Sequence, residues 1–174
     1  MSRSLHDSRS SQVLDNVDDL EERENVARDE VMVRSLADAD LRRVVRIDER
    51  ITGRNRLAYY ERKFSEVLQE SGVRISLVAE TDGLVTGFVM ARVDYGEFGQ
   101  AEATATIDTI GVDPTAVGAH IGQALMSQLL INLGALRVET VRTEVEWRDI
   151  ELLGFLNRCG FAPAQRLSFS MDID

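Results

Sequence analysis

Apolar positions recur along the chain in blocks whose period marks the elements. Val31-Met32-Val33-Arg34 reads as a short strand. Asp38 or Asp40 can cap a helix through Asp48, with Leu41, Val44, Val45 and Ile47 on its apolar side and Thr52-Gly53 at its end. A second helix runs from Asn55 to Ser71 on the spacing Leu57, Tyr60, Phe64, Val67, Leu68, and Gly72 closes it. The period then changes to two. Arg74 to Glu80 is a strand, Thr81-Asp82-Gly83 carries the Asp-Gly hairpin signal, and Leu84 to Asp94 is the partner strand. After a looser connection through Tyr95 and Gly99, Glu102 to Val112 forms a third long strand, completing an antiparallel meander.

The second half switches to alternating elements. Val117 to Leu133 is helical, with Ile121, Leu125, Leu129 and Leu133 at four-residue spacing and Gly134 as its cap. Arg137 to Val145 alternates as a strand, Asp149 starts a helix ending at Cys159-Gly160, and Phe161 to Ile173 holds a last strand with Leu167, Phe169, Met171 and Ile173 turned inward. Strand, helix, strand implies one parallel pair. The expected fold is α/β: a mixed central sheet of about six or seven strands flanked by helices.

The first 29 residues follow neither period. Asp7, Asp15, Asp18, Asp19, Glu21, Glu22 and Glu24 stand among sparse apolar residues, which reads as a mobile acidic tail ahead of a globular domain from residue 30 to 174. At 174 residues the length fits one domain. No apolar run approaches the roughly 20 residues that span a bilayer. The opening MSRSLHDSRSSQ lacks the apolar core of a secretory signal. A cytoplasmic setting with no membrane partner is expected. Cys159 is the single cysteine and there are two histidines, so neither an internal disulfide nor a Cys/His zinc cluster is expected, and no metal site. The net charge of −10 argues against nucleic acid as partner. It leans, weakly, toward cationic partners.

Candidate chemistry concentrates where the third long strand runs into a helix, Ile107 to Met126. Asp113-Pro114 turns the chain. The small-residue loop Val117-Gly118-Ala119-His120-Ile121-Gly122 then opens the helix, whose N-terminus offers unpaired N–H groups and partial positive charge to an anion such as a pyrophosphate. The P-loop lysine and the dinucleotide glycine spacing are both absent. Read without a ligand, the loop is a tight strand-to-helix turn whose glycines relieve crowding.

This stretch resembles the GNAT superfamily of acyl-CoA-dependent N-acetyltransferases. The family pattern Q/R-x-x-G-x-G/A after a V-x-P turn falls on Val117 to Gly122, with Val112-Asp113-Pro114 as the turn. Phe155 to Phe161 is similar to the family's Y-E-K-L-G-F segment, and the element order from Val31 to Asp174 matches. Three positions depart from the pattern: Val117 stands for the usual Gln or Arg, His120 for the first Gly, and Leu156 for the tyrosine that often protonates the coenzyme A thiolate.

The resemblance implies transfer of an acetyl group from acetyl-CoA, the acyl-donor cosubstrate, to a primary amine on a small molecule or peptide. It implies Asp108 as catalytic base, directly or through water, and the Ile110 N–H as oxyanion donor. Ile110 and Val112 would pair with pantetheine through the backbone, and Val117, Gly118, Ala119, His120, Ile121 and Gly122 would hold the pyrophosphate. A period of two puts Thr106, Asp108 and Ile110 on one face. Asp108 within a β-branched strand can equally be a structural hydrogen-bonding residue. Tyr59, Tyr60, Glu97, Glu144, Glu146 and Trp147 are candidates for the acceptor wall, with core or rim packing as the plainer reading, and Cys159 reads as a core thiol. The alternative is a non-catalytic acyl-CoA-binding sensor or degenerate regulatory module. An exposed final strand could pair across a homodimer.

Overall fold

The structure is a computed structural model describing residues 31–69, 73–95, 103–116, 120–164 and 170–173. The acidic segment 1–29, Glu97, Val117, Gly118, Ala119, Leu167 and Phe169 lie outside the described residues. Two compact units are present, Met1–Thr143 and Glu144–Asp174.

In the first unit, β1 (Met32–Ser35), β2 (Val73–Thr81), β3 (Leu84–Asp94), β4 (Thr104–Val112) and β5 (Thr140–Thr143) form one sheet in sequence order. β1 to β4 are antiparallel, and β4 pairs with β5 in parallel. The sheet is therefore mixed, as the sequence predicts, but it has five strands among the described residues rather than six or seven. The expected last strand, Phe161 to Ile173, lies partly outside the described residues. Phe161–Ala164 and 170–173 form no strand, and Met171 and Ile173 are exposed instead of inward. Alternation of apolar residues sets which face a strand would bury; the ladder bonds must come from a neighbour.

Helices α1 (Leu41–Thr52) and α2 (Leu57–Gln69) pack on one face of the sheet, and α3 (Ile121–Ala135) on the other. Val44, Val45 and Ile47 of α1 and Tyr60 and Phe64 of α2 form a continuous core with Val78, Val85, Phe88 and Met90. Tyr60 meets Phe88 edge-on at 5.8 Å between ring centres. Gly53, at φ +69°, ends α1 in the left-handed region where glycine carries no Cβ penalty. On the opposite face α3 approaches β3 so closely that a Cβ at Gly87 would sit 2.7 Å from Ile121 Cγ2. The helix continues through Gly134 to Ala135, so that glycine is not its cap. No described helix is long and apolar enough to cross a membrane.

The second unit contains α4 (Ile150–Arg158). Asp149 caps it as the sequence predicts, its carboxylate accepting from the Leu152 amide at 3.0 Å. Leu156 is buried and Trp147 is exposed.

Candidate active site

The site is built on an irregularity in β4. Val89 pairs with Ile110 and Met90 with Thr109, but Ala91 pairs with Ile107, so Asp108 is an extra residue bulged out of the ladder. The bulge resets the pleat. Thr106 lies opposite Arg92 and Thr109 opposite Met90, on the face covered by α1 and α2. Ile110 lies opposite Val89, which shares its face with Gly87 and so with α3. The even spacing that places Thr106, Asp108 and Ile110 on one face is thus broken by the bulge. Thr106 and Asp108 face the α1/α2 layer, and the Ile110 side chain faces α3.

Asp108 is gripped from two elements. Lys63 Nζ, from α2, donates to Oδ2 at 3.0 Å, and the Arg92 guanidinium, from β3, donates to Oδ1. The carboxylate is only a tenth exposed, Lys63 slightly more and Arg92 markedly more. Neither partner was singled out from sequence. Lys63 is the chain's only lysine, and Arg92 is placed by a register that no local pattern reports. Two acceptor-wall candidates join the cluster. Tyr59 lies 5.9 Å below the Lys63 ammonium, and the Tyr60 hydroxyl is 3.4 Å from Thr109 Oγ1. Burial pushes the Tyr60 phenol well above its ordinary range, so it holds its proton. Arg56 covers both rings and is itself paired with the buried Asp48, Nε to Oδ2 at 2.7 Å.

Beyond Ile107 the pairing with β5 stops, although β4 runs on to Val112. The Asp113 amide donates to Thr86 O of β3 at 2.8 Å. Main-chain groups alternate in direction along a strand. Those of Gly111 therefore turn to β3, and those of Val112 and Ile110 turn to the edge that β5 leaves open. A chain-like ligand can add its own hydrogen bonds there, which is the fit that pantetheine pairing requires.

Asp113, not singled out as a site from sequence, closes this corner. It is fully buried, and its carboxylate accepts from Arg43 at 2.8 Å, from Arg50 at 2.8 and 3.0 Å, and from the Thr115 amide and hydroxyl at 3.0 and 2.8 Å. Burial opposes its ionisation, but the Thr115 donors and Arg50 outweigh that and hold the carboxyl at about 2. The chain then passes through the 3-10 turn Pro114–Ala116 and, past the undescribed 117–119, reaches α3. His120 precedes that helix at φ +56°, with Nδ1 2.7 Å from Gln123 Oε1. Ile121 points into the core beside Gly87, so only its backbone is available to a ligand. Glu144, Glu146 and Trp147 belong to the second unit. The buried Leu156 offers no acid, and Cys159 is half-buried.

The family model for the GNAT acetyltransferases matches residues 40–161, most of the chain and both the bulged strand and the loop after it. The chain belongs to the GNAT acetyltransferase family. Solved structures share the GNAT fold at low identity. A transcriptional regulator from Bacillus halodurans superimposes with a TM-score of 0.70 at 19% identity, covering 82% of this chain and 99% of that one. AAC(6')-Iy, in complex with the bisubstrate analogue CoA-S-monomethyl-acetylneamine, gives 0.69 at 15% identity over 83% and 99%. Glucosamine-6-phosphate N-acetyltransferase from Arabidopsis thaliana gives 0.65 at 17% over 83% and 99%. No curated protein matches the chain by sequence.

Proposed function

We propose that this GNAT protein moves an acetyl group from acetyl-CoA to a primary amine in a ternary complex, with residues 30–174 as the acetyltransferase domain. The observation that carries the reading is the open edge of β4 beside the Asp108 bulge: main-chain donors on one side and a held carboxylate on the other. Bound acetyl-CoA would supply the acyl carbon, its C–S bond breaking as the amine's C–N bond forms, and the thiolate leaves with the electron pair and takes up, through water, the second proton that the nitrogen sheds. The Ile110 N–H faces the edge where the carbonyl oxygen would gain charge, an oxyanion role that needs no particular side chain. The Val112 main chain extends the pairing. The loop from Val117 to Gly122 holds the pyrophosphate through backbone N–H groups, which fixes orientation. Asp108 takes the proton of the ammonium, directly or through water. Because Lys63 and Arg92 occupy one oxygen each, the proton arrives on a lone pair that these two leave.

A second reading, acyl-CoA binding without turnover, is favoured by the same grip on Asp108 and by the apolar Leu156. Relatives of this fold are named for aminoglycosides and for glucosamine-6-phosphate, and neither acceptor is assigned to this chain.

Thermal melts and a thiol-release assay separate the readings. Coenzyme A at 100 times its dissociation constant should stabilise the fold by about 2.7 kcal/mol, roughly 5–10 °C. Asp108→Asn should leave that shift in place and lower turnover about 10²–10⁴-fold. Binding without thiol release across a broad amine panel establishes the sensor. Indifference to millimolar coenzyme A sinks both.

A further inference from the structure

The bulge in β4 presents two consecutive side chains, Asp108 and Thr109, to one face, where a regular strand presents alternate ones. Both stand just past Ile107, the last residue that β5 covers. From there to the end of β4 they are the only polar side chains, since Ile110, Gly111 and Val112 follow. Gly111, the next residue on that face, is roofed by apolar groups: a Cβ there would lie 2.9 Å from Phe88 Cε1 and 3.0 Å from Ile51 Cδ1. A polar ligand group over this edge therefore finds its side-chain partners on β4 at Asp108 and Thr109.

Thr109 is half-buried, and a fully buried phenol stands behind it. The Tyr60 hydroxyl lies 3.4 Å from Thr109 Oγ1. Its ring is fixed edge-on to Tyr59 at 5.0 Å and to Phe88 at 5.8 Å. The hydroxyl contact is long, and contacts of this kind are often long until a substrate seats. A hydroxyl carries one proton and two lone pairs, so whichever of the two donates, Thr109 Oγ1 keeps a lone pair. For packing alone a phenylalanine would serve at position 60, and burying the extra hydroxyl costs free energy that its bond to Thr109 offsets.

Building on the acetyl-transfer reading, we infer that Thr109 is a second residue that holds the acceptor amine: its hydroxyl accepts an N–H from the nitrogen while Asp108 takes the proton, and Tyr60 positions that hydroxyl from behind. A primary ammonium carries three N–H groups. One gives its proton to Asp108 and leaves the lone pair that attacks the acyl carbon. A second donates to Thr109 Oγ1. After attack the nitrogen sheds one of its two remaining protons, which reaches the departing thiolate through water, and keeps the other as the amide N–H. A nitrogen held at one point can turn about that bond. Held at two adjacent points it presents its lone pair in one direction, which is an orientation effect.

Three variants of the full chain test this with acetyl-CoA and whichever of propylamine, 2-aminoethanol, glucosamine and lysine the wild type turns over fastest. Thr109→Val removes the hydroxyl and keeps the branched shape that a strand favours. It should lower kcat/KM for the amine about 10–100-fold, the range for one hydrogen bond to a charged group, and leave KM for acetyl-CoA within threefold. Thr109→Ser, which keeps the hydroxyl, should recover at least half of that loss on a logarithmic scale. Tyr60→Phe should lower kcat/KM by less, and should add nothing in a Thr109→Val background, because it acts only through that hydroxyl. A loss under fivefold in Thr109→Val overturns the inference and leaves acetyl transfer standing. So does a serine variant as impaired as the valine one, since the hydroxyl is then not what matters. Losses that multiply in the double variant overturn the positioning role of Tyr60. Calorimetry with coenzyme A bound reads the same hold without turnover. Amine binding that weakens at least fivefold in Thr109→Val, with no thiol released by the wild type from any of the four, supports the hold at Thr109 and favours the sensor over acetyl transfer. Binding unmoved by that variant, or neither binding at 50 mM nor release with any of the four, overturns the hold.

Discussion

Two aspartates five residues apart on and after β4 are each held by two cations, yet they are built differently. Asp113 has no exposed surface and accepts from a backbone amide and a hydroxyl of its own turn as well as from Arg43 and Arg50 of α1. Both carboxylate oxygens accept, and both arginines come from one helix. The described contacts of Asp108 come from side chains alone. Its partners are two long side chains from different elements, with a bulge beneath it and an open strand edge beside it. The first arrangement fixes a corner of the fold. The second leaves a carboxylate whose contacts can exchange with a ligand, which a site for chemistry needs and a structural anchor does not.

The largest effect that tests this contrast is on stability. Removing one member of a buried ion pair leaves its partners uncompensated and costs about 3–5 kcal/mol. Asp113→Asn should fall in that range, lowering the melting point by roughly 10 °C or more, while the folded fraction keeps its capacity for thiol release. Asp108→Asn should cost about 1–2 kcal/mol, since Arg92 is also within ion-pair distance of Asp94. Urea titrations of the two variants give both numbers. Equal losses would show that Asp108 is an anchor of the same kind as Asp113.

Acid unfolding sharpens the same comparison. The Asp113 carboxyl is held at about 2 in the fold, below the ordinary 3.8. A depressed value means that the unfolded chain takes up the proton first as pH falls. The stabilisation from Asp113 is therefore complete above about pH 4 and lost between pH 4 and 2, a span worth on the order of 2 kcal/mol. Asp40 is also depressed, by its bidentate bond to Arg34, and contributes to the same fall. The difference between wild type and Asp113→Asn isolates the Asp113 share. It should shrink from pH 5 to pH 3 in urea midpoints, and a constant difference would exclude an ionised Asp113 as its source.

Local signals made much of the fold legible. The Asp-Gly turn, the bounds of β3, the end of α1 at Gly53 and the Asp149 cap depend on residues within a few positions of one another. The family was legible as well, because the loop after β4 and the element order are read along the chain. What stayed hidden depends on pairing. Nothing near Asp108 in sequence announces that β4 has one residue more than β3 at that point, so alternation put Ile110 on the wrong face. Arg92 meets Asp108 only once β3 and β4 are in register. The last expected strand alternates in the sequence, but its described residues, 161–164 and 170–173, form no strand; alternation chooses a face and supplies no pairing neighbour. Asp113 could have been suspected, since an aspartate before a proline in a turn often accepts from the backbone two residues on, but its two arginines lie 63 and 70 residues away.

The smallest expected effect concerns the end of the corner that Asp113 begins. His120 sits at φ +56°, a conformation that costs a residue with a Cβ about 1–2 kcal/mol and glycine nothing comparable. Its ring is spent on Gln123 at the surface, and it supplies no cap to α3. Glycine loses more chain entropy on folding, roughly 0.5–1 kcal/mol, and this offsets part of the gain. His120→Gly should therefore stabilise the protein by about 0.5–1 kcal/mol, a rise of a few degrees. If the loop after β4 holds pyrophosphate through its backbone, the same change removes a ring from the approach and should tighten coenzyme A binding. Calorimetry checks that second part independently of the melt. A more stable protein with weaker coenzyme A binding would mean that the imidazole itself contacts phosphate. The corner would then be a binding element built with a strained residue, closer in kind to the Asp108 bulge than to the Asp113 anchor.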